Sequence, residues 1–530
     1  MEKGTDKIRL HIGLAGSLVL AAILLGFVNY AWATERPRTV PVAVVEVLLL
    51  NRDALDELVR QGYNISNVRG NLATVYATAE ELGRLKQAGY KYQEIERQPQ
   101  PKEFVPTGPG SYHSYASLTS ELQDYADAYP DICRLYSLGE SVQDRELWAV
   151  LITDDPNNEE DEPEFKYIST MHGDEPLGTE MCLRFIDMLL TDYDTDEQIT
   201  DLVNSTEIWI VPLMNPDGLE LGTRYNAGGY DLNRWFPAYP EDFTGNLFDG
   251  EPLGDAGLPA EVAHIMQWTA QNSFVLSANF HTGALVVNYP YDDDGKGSVD
   301  SPTPDDLLFE EVSRRYSMYN LPMWNSPHFP DGITNGAAWY SISGGMQDWN
   351  YRYSSCNEVT IEISNIKKPN ASQIPAYWAD NKDSMLNYLE AVHIGVRGVV
   401  TDRSTGAPVW AQIQVEGNSH SVFTDPNVGD YHRMLLPGVY NLTVSAPRYA
   451  SRFFTNVTVT DGPATCLDIE LADTDINSDG GVDLLDFAIL AAHWYQTGCG
   501  QCAGADLTGD ENVDTDDLQQ FFANWLVGIE

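Results

Sequence analysis

The pattern of apolar and polar positions between residues 110 and 393 alternates between strand-like and helix-like segments. Apolar runs typical of buried strands lie at 165–170, 208–213, 275–280 and 359–363. Apolar residues at helical spacing follow the first run. This alternation predicts an α/β domain with a mixed sheet flanked by helices. Because open α/β sheets bind ligands where their strands end, chemistry is expected at those ends.

The preceding segment, residues 34–109, predicts a small α+β domain that ends in a linker rich in proline and polar residues. Its strands are predicted at 45–50, 72–77 and 90–95, its helices at 52–61 and 78–88, and its linker at 98–109. Because this pattern is compact and ends before the linker, we expect it to fold as a separate unit.

The segments after the α/β domain change pattern twice. Residues 394–472 contain short strands separated by turn signals, which predict an all-β sandwich. Residues 473–530 contain two copies of one acidic unit, each followed by an amphipathic segment. They predict a small all-α module.

The N-terminus, residues 1–33, has the pattern of a signal peptide. A basic start precedes an apolar run at 12–28, and Ala31-Trp32-Ala33 matches a small-x-small cleavage pattern. A secreted or extracytoplasmic protein is therefore expected. An uncleaved membrane anchor is the alternative, because the run is near the lower limit of spanning length. No other segment has a transmembrane pattern.

Composition narrows the possible functions. The 530 residues carry 79 acids against 31 bases, a formal net charge of −48. This balance opposes nucleic-acid binding, which needs a basic surface. It favours the approach of basic substrates, although the acids also serve solubility. Of six cysteines, Cys499 and Cys502 form an isolated C-x-x-C, which favours a local disulfide or free thiols over a metal site.

The candidate chemistry begins at His172-Gly-Asp-Glu175, directly after a predicted strand. A catalytic zinc site takes three protein ligands and one open position, and two histidines with one glutamate form a known set. His281, at the end of another predicted strand, is the natural third ligand. The H-x-x-E motif alone is weak evidence, because it also occurs by chance.

Several motifs follow in order and make the pattern specific. They are Asn215-Pro-Asp-Gly218, Arg224-Tyr-Asn226, Asp231-Leu-Asn-Arg234, His281-Thr-Gly283 and Thr360-Ile-Glu362. With the H-x-x-E motif they closely resemble zinc carboxypeptidases of the regulatory N/E-type branch, which includes the D, E, M and N types. The resemblance runs from about residue 112 to 471. It implies a carboxypeptidase-like catalytic domain at 110–393, and identifies residues 394–472 with that branch's transthyretin-like sandwich.

The resemblance also implies a role for each matching residue. The zinc ligands would be His172, Glu175 and His281, the general base Glu362, the oxyanion-stabilising group Arg224, and the clamp for the substrate carboxylate Asn233 and Arg234. Tyr340 stands at the family's spacing for a mobile tyrosine over the substrate. A peptide or protein with a free C-terminus is the implied substrate.

Asp292 and Gln347 match residues of the specificity pocket in this branch. A buried carboxylate there would favour a C-terminal Lys or Arg, whereas a loop aspartate is the plain alternative. Trp235 and Thr282 depart from the family pattern beside the pocket, which affects fine specificity more than catalysis.

The N-terminal α+β segment is not usual for this branch. It is similar to a carboxypeptidase activation segment, which would cover the cleft until it is cut. A permanent accessory domain is the other interpretation.

The C-terminal repeats resemble dockerin or EF-hand-like calcium loops, whose ligands are oxygen atoms at fixed loop positions. The first loop offers Asp475, Asn477, Asp479, Asp483 and Asp486, and the second offers Asp506, Thr508, Asp510, Asp514 and Asp517. Gly480 suits the sharp turn of the first loop, but Glu511 replaces it in the second. Two structural calcium ions and a cohesin-like docking partner are the expectation.

Three functions remain open at this point. The first is an active carboxypeptidase with a docking module, and the second is a silent protein that only binds peptide C-termini. The third is a carboxypeptidase that acts on cell-wall peptides. The silent protein would need a missing ligand or base, yet every expected residue is present.

Overall fold

The computed structural model describes residues 42–97, 111–238, 257–479 and 481–526. The predicted signal peptide, the predicted linker and Gly480 lie outside these residues. None of the helices in the described part of the chain has the length and apolarity needed to cross a bilayer.

The first unit is a sheet covered by two helices. Its elements are β1 (Ala43–Leu48), α1 (Arg52–Arg60), β2 (Asn64–Arg69), β3 (Leu72–Ala77), α2 (Ala79–Gln87) and β4 (Lys91–Arg97). The antiparallel strands run in the order β2-β3-β1-β4. Strand β2 is not predicted from the sequence, because most of its side chains are polar. They are nevertheless buried, since they face the next domain rather than solvent.

The α/β domain follows. Its first half contains α3 (Tyr115–Ala128), β5 (Cys133–Glu140), β6 (Glu146–Ile152), β7 (Glu164–Ser169), α4 (Leu177–Asp192), α5 (Glu197–Val203), β8 (Glu207–Val211) and α6 (Pro216–Leu221). Its second half contains α7 (Ala260–Thr269), β9 (Phe274–His281), β10 (Leu285–Tyr289), α8 (Asp306–Ser317), α9 (Leu321–Trp324), β11 (Ile333–Asn335), α10 (Gly336–Trp339), α11 (Met346–Tyr353), β12 (Asn357–Ile363) and α12 (Ile374–Glu390).

The sheet of this domain is mixed, in the order β11-β10-β12-β9-β7-β8-β6-β5. The central strands β7, β9 and β12 are buried along their whole length. This is expected for parallel strands with helices on both faces, which form near-continuous apolar runs. Because β7 and β9 are parallel, their carboxyl ends share one edge, and the candidate metal ligands follow from that edge.

The β-sandwich contains β13 (Val396–Asp402), β14 (Gln412–Val415), β15 (Ser421–Phe423), β16 (Asp430–Arg433), β17 (Gly438–Ser445), β18 (Arg452–Val459), β19 (Thr465–Cys466) and β20 (Ile469–Leu471). One sheet has the order β16-β13-β19, with β20 also paired to β13, and the other has the order β15-β14-β17-β18. The predicted succession of a small α+β unit, an α/β domain and a β-sandwich is confirmed.

The last described segment carries helices α13 (Leu484–Ala492) and α14 (Thr515–Ala523). Each begins with a capping box, formed by Asp483 with Asp486 and by Asp514 with Asp517. A disulfide joins Cys499 to Cys502 between the helices. The other cysteines, Cys133, Cys182, Cys356 and Cys466, are unpaired thiols.

Candidate active site

The three predicted zinc ligands meet at one edge of the mixed sheet. His172 follows β7, Glu175 precedes α4, and His281 ends β9. One donor atom from each lies within 4.8 Å of the other two, and all three side chains are buried. Nδ1 of His281 is 3.0 Å from Oε2 of Glu175, and Nδ1 of His172 is 3.3 Å from Oε1. This buried set of two imidazoles and one carboxylate fits a catalytic zinc ion.

Asp231 orients the first of these ligands. Its Oδ1 is 3.0 Å from Nε2 of His172, and its Oδ2 accepts from Nε of Arg224 at 2.8 Å. Burial alone would raise the pKa of Asp231, but Arg224 and His172 hold it well below its usual range. A carboxylate behind a ligating histidine fixes the ring and strengthens the ligand. Asp231 stands within one of the predicted motifs, but its role was not predicted from the sequence.

Lys367 is a second residue of this site that is not predicted from the sequence. Its Nζ donates to Oε1 of Glu175 at 2.7 Å, from a loop after β12. Although burial opposes ionisation of Glu175, Lys367 and then His172 lower the pKa of this carboxyl well below its usual range. Glu175 is therefore an anion, as a zinc ligand must be. The sequence around Lys367 carries no motif that would have revealed this contact.

Glu362 lies beside the ligand set because of strand register. Strand β12 pairs with β9 so that Glu362 is opposite His281, and with β10 so that it is opposite Val286. Its Oε2 accepts from the backbone N–H of Ala284 at 3.2 Å. Burial and then the charge of Glu175 raise the pKa of Glu362 to about 7. A carboxyl with this pKa is suited to exchange a proton near neutral pH.

The predicted oxyanion and clamp residues surround the same cavity. Nη1 of Arg224 is 3.0 Å from Nδ1 of His172 and 3.4 Å from Oε1 of Glu175. Asn233 is fixed by its Oδ1, which accepts from the N–H of Met346 at 2.9 Å. The cavity lining includes all three ligands, Glu362, Arg224, Asn233, Arg234, Asp292 and Tyr340. The structure thus brings together nearly all residues that the motifs predict.

The predicted specificity pocket is a buried acceptor site. Asp292 is 3% exposed, and its Oδ1 accepts from Asn288 at 3.2 Å. The Asp292 side chain fits because its neighbour Gly336 has no side chain: a Cβ there would lie 2.0 Å from that oxygen. Gln347 donates to Asn288 at 3.4 Å, while its own Oε1 is buried without a hydrogen-bond partner among the described residues. Hydrogen-bond acceptors therefore predominate in this pocket, as the cationic side chain of a substrate would require.

Strand β2 of the N-terminal domain covers this cavity. The carbonyl oxygen of Ile65 accepts from Nη2 of Arg234 at 2.9 Å, and that of Ser66 accepts from the hydroxyl of Tyr340 at 3.2 Å. Nδ2 of Asn64 donates to Oδ2 of Asp231 at 2.7 Å. The remaining cavity is about 20 Å³, room for about one water molecule. A substrate residue therefore cannot enter while β2 is in place.

Further contacts hold the covering strand down. Asn67 and Arg69 both donate to the carbonyl oxygen of Gly283, at 2.9 and 2.5 Å, two residues after the ligand His281. The indole of Trp339 donates to the carbonyl of Val68 at 3.0 Å. The first domain thus binds the edge where the candidate metal ligands lie.

The C-terminal loops place their acids around the backbone. Asp486 accepts from the N–H of Asn477 and Asp483, and Asp517 accepts from Thr508 and Asp514. Asp475 pairs with Arg448 of the sandwich at 2.6 Å. In the part of the chain that the structure describes, the clusters whose donor atoms converge within 4.8 Å do not include these acids.

Comparisons with known families agree with the geometry. A sequence profile described as zinc carboxypeptidase matches residues 118–384, and one described as carboxypeptidase regulatory-like domain matches residues 395–472. The second match covers all eight strands of the β-sandwich.

Two relatives match more than two thirds of the chain each. Carboxypeptidase D of Rattus norvegicus is 41% identical over 403 residues, which are 72% of this chain and 28% of that protein. The carboxypeptidase N catalytic chain of Mus musculus is 40% identical over 395 residues, which are 68% of this chain and 86% of that one. The chain thus spans little more than a quarter of carboxypeptidase D.

Among solved structures, the crystal structure of carboxypeptidase A from Helicoverpa armigera aligns with a TM-score of 0.52 at 18% identity. The alignment covers 66% of this chain and 96% of that one. At this identity the likeness shows a shared fold and nothing finer.

Proposed function

Because this chain belongs to the zinc carboxypeptidase family, in its D/N-like branch, we propose that it is a secreted enzyme that removes single C-terminal residues from peptides, preferring Lys or Arg. The observation that carries the activity is the convergence of His172, Glu175 and His281 beside Glu362. The Lys/Arg preference rests on Asp292, and secretion rests on the N-terminal sequence pattern alone.

Each site residue has a task in this reaction. A bound zinc ion would polarise the scissile carbonyl and lower the pKa of a water. Glu362 accepts the proton of the attacking water and then donates it to the leaving amine. Arg224 donates to the scissile oxygen as it gains negative charge. Arg234 and Asn233 hold the terminal carboxylate, which makes the enzyme an exopeptidase.

Asp292 supports the preference for a basic residue. Its pKa is raised well above the usual range by burial and then by Asp348, so a neutral carboxyl occupies the closed pocket. An incoming guanidinium or ammonium group would pair with the ionised form. An apolar side chain would instead leave a buried polar group without a partner.

We also propose that the N-terminal domain is an inhibitory segment. Two backbone carbonyls of its strand β2 accept hydrogen bonds from Arg234 and Tyr340. These carbonyls occupy the place where we expect groups of the substrate. Removal or displacement of this domain would open the cleft. A permanent accessory domain is disfavoured because the covered cavity excludes substrate.

The C-terminal repeats are proposed to bind two calcium ions and a cohesin-like partner. The ligands are those predicted from the two loops, and support comes from their duplicated sequence. The test is a calcium titration of the full chain in which hydrogen exchange of residues 473–526 is measured. We expect their protection from exchange to rise as calcium binds. Protection that is independent of calcium contradicts it.

A panel of peptides that differ only in the last residue tests the proposed specificity. The N-terminal domain is first released by an engineered protease site between residues 98 and 110. We expect fastest release of terminal Arg or Lys, and loss of all release with a zinc chelator. Faster release of Leu or Phe contradicts the preference, and no release despite bound zinc favours a silent binding protein. Release from cell-wall peptides alone would favour the third possibility.

A further inference from the structure

Three carboxylates converge at the edge of the sheet opposite the zinc ligands. Glu164 begins β7 and Glu207 begins β8, and the two residues are direct partners in the parallel register. Glu159 comes from the loop before β7. One oxygen of each residue lies within 4.8 Å of the other two. Like charges on directly paired residues repel each other, so this arrangement needs a compensating group.

Glu164 is the most deeply placed of the three residues and has one oxygen without a protein partner among the described residues. The residue is 3% exposed, and its Oε1 accepts from the N–H of Ser273 at 2.7 Å. Its Oε2 is buried without a hydrogen-bond partner among the described residues. A buried carboxylate oxygen without a partner is costly. Such an atom, on a residue whose carboxylate is grouped with two others, fits a cation-binding position.

The β-sandwich adds negative charge near the three glutamates. Its Asp425 and Asp430 repel Glu159. Glu207 accepts a long hydrogen bond, 3.4 Å, from Nε1 of Trp209. Burial and then mutual repulsion raise the pKa of Glu164 well above its usual range and that of Glu207 to about 8.

The nearby cationic groups have other partners. Arg397 pairs with Asp161 at 3.6 Å, and His432 lies 2.9 Å from Asp430. Burial and then Arg397 lower the pKa of His432 to about 3, so its ring is neutral. The buried Lys166 also senses the charge of Glu164, but its Nζ donates to Thr269 and Asn350 at 2.9 and 3.0 Å. Among the described residues, these cations therefore bind groups other than the three glutamates.

We propose that Glu159, Glu164 and Glu207 bind a calcium ion between the catalytic domain and the β-sandwich. The donors are all carboxylate oxygens, and three bidentate carboxylates with water can supply the six to eight oxygens that calcium takes. Zinc is disfavoured because the set lacks nitrogen and sulfur donors. The exposed Glu159 gives the ion a path from solvent. The bound ion joins the loop at 153–163 to β7 and β8, beside the acids of the sandwich.

The test is the calcium stoichiometry of the full chain by equilibrium dialysis, compared between two variants. Glu164→Gln/Glu207→Gln keeps shape but removes both buried charges. Asp201→Asn is the matched control, because it removes one exposed charge from α5, which precedes β8. We expect the double variant to bind one calcium fewer than the natural chain, and the control to bind the same number. The C-terminal loops are unchanged in both, so they do not affect the difference.

Terbium provides an independent readout, because Trp209 beside Glu207 can sensitise its emission. Sensitised emission should fall in Glu164→Gln/Glu207→Gln and persist in Asp201→Asn. Near-ultraviolet circular dichroism shows whether each variant is folded. If both folded variants bind as much calcium and emit as strongly as the natural chain, the proposal is overturned. Glu164 and Glu207 would then be a carboxyl pair that shares a proton. Loss of carboxypeptidase activity has no bearing on this outcome.

Discussion

The carbonyl oxygen of Ile65 accepts a hydrogen bond from Nη2 of Arg234 over 2.9 Å. Nη1 of the same guanidinium donates to the carbonyl of Asn233 at 2.8 Å. The residue proposed to hold a substrate carboxylate is therefore engaged by the backbone of the chain's own N-terminal domain. We therefore expect strand β2 and substrate to compete for Arg234.

Arg69→Ala is expected to raise the activity of the intact chain. The substitution removes the bonds to Gly283 and Asn365 that hold β2 down. One hydrogen bond contributes on the order of 1 kcal/mol to the closed state. Its loss should therefore raise the population of chains with an open cleft about fivefold. Initial rates on a peptide ending in Arg measure the change. Arg84→Ala is the control, because Arg84 pairs only within its own domain, with Glu81; an equal rise in both variants contradicts the covering role of β2.

Asp231→Asn is expected to weaken zinc binding about 10- to 100-fold, because the charge behind His172 is lost while the shape is kept. Competition with a coloured chelator measures the affinity. Asp217→Asn is the matched control, since Asp217 is also buried against an arginine, Arg145, but touches no zinc ligand. Similar affinities in the two variants would show that Asp231 does not support the metal.

Asp292→Asn is expected to lower kcat/KM for a peptide ending in Arg about 100-fold, because the incoming cation loses its buried partner. A peptide ending in citrulline, which has a similar shape without charge, should lose much less. Asp294→Asn in the same loop, where Asp294 pairs with Lys296, is the control. Equal losses for both peptides would place the specificity elsewhere.

The pair Glu164 and Glu207 predicts a pH dependence of stability in chelator. With their folded pKa values raised, the folded chain binds more protons than the unfolded chain between about pH 4.5 and pH 8. The free energy of unfolding therefore falls as the pH rises through this window. Urea unfolding of the natural chain and Glu207→Gln should diverge with rising pH, the variant becoming the more stable. A difference that does not change with pH contradicts the raised pKa.

The strands that carry His172, His281 and Glu362 could be predicted because their apolar runs and end motifs are local in sequence. The three metal ligands could be predicted from the same apolar runs and end motifs. Strand β2 could not be predicted, because its polar residues are buried only by contact with another domain. Lys367 was equally hidden, since nothing near it in the sequence indicates that it reaches Glu175.

The central claim is tested most directly by release of the last residue from two peptides that differ only at their C-terminus, one a free carboxylate and one an amide. The chain freed of its N-terminal domain should release Arg from the first peptide alone, and chelator should stop the release. Glu362→Gln should keep its zinc yet lose about 10²- to 10⁴-fold in kcat. Release from the amide, or undiminished activity in Glu362→Gln or without metal, would contradict a zinc carboxypeptidase built on this site.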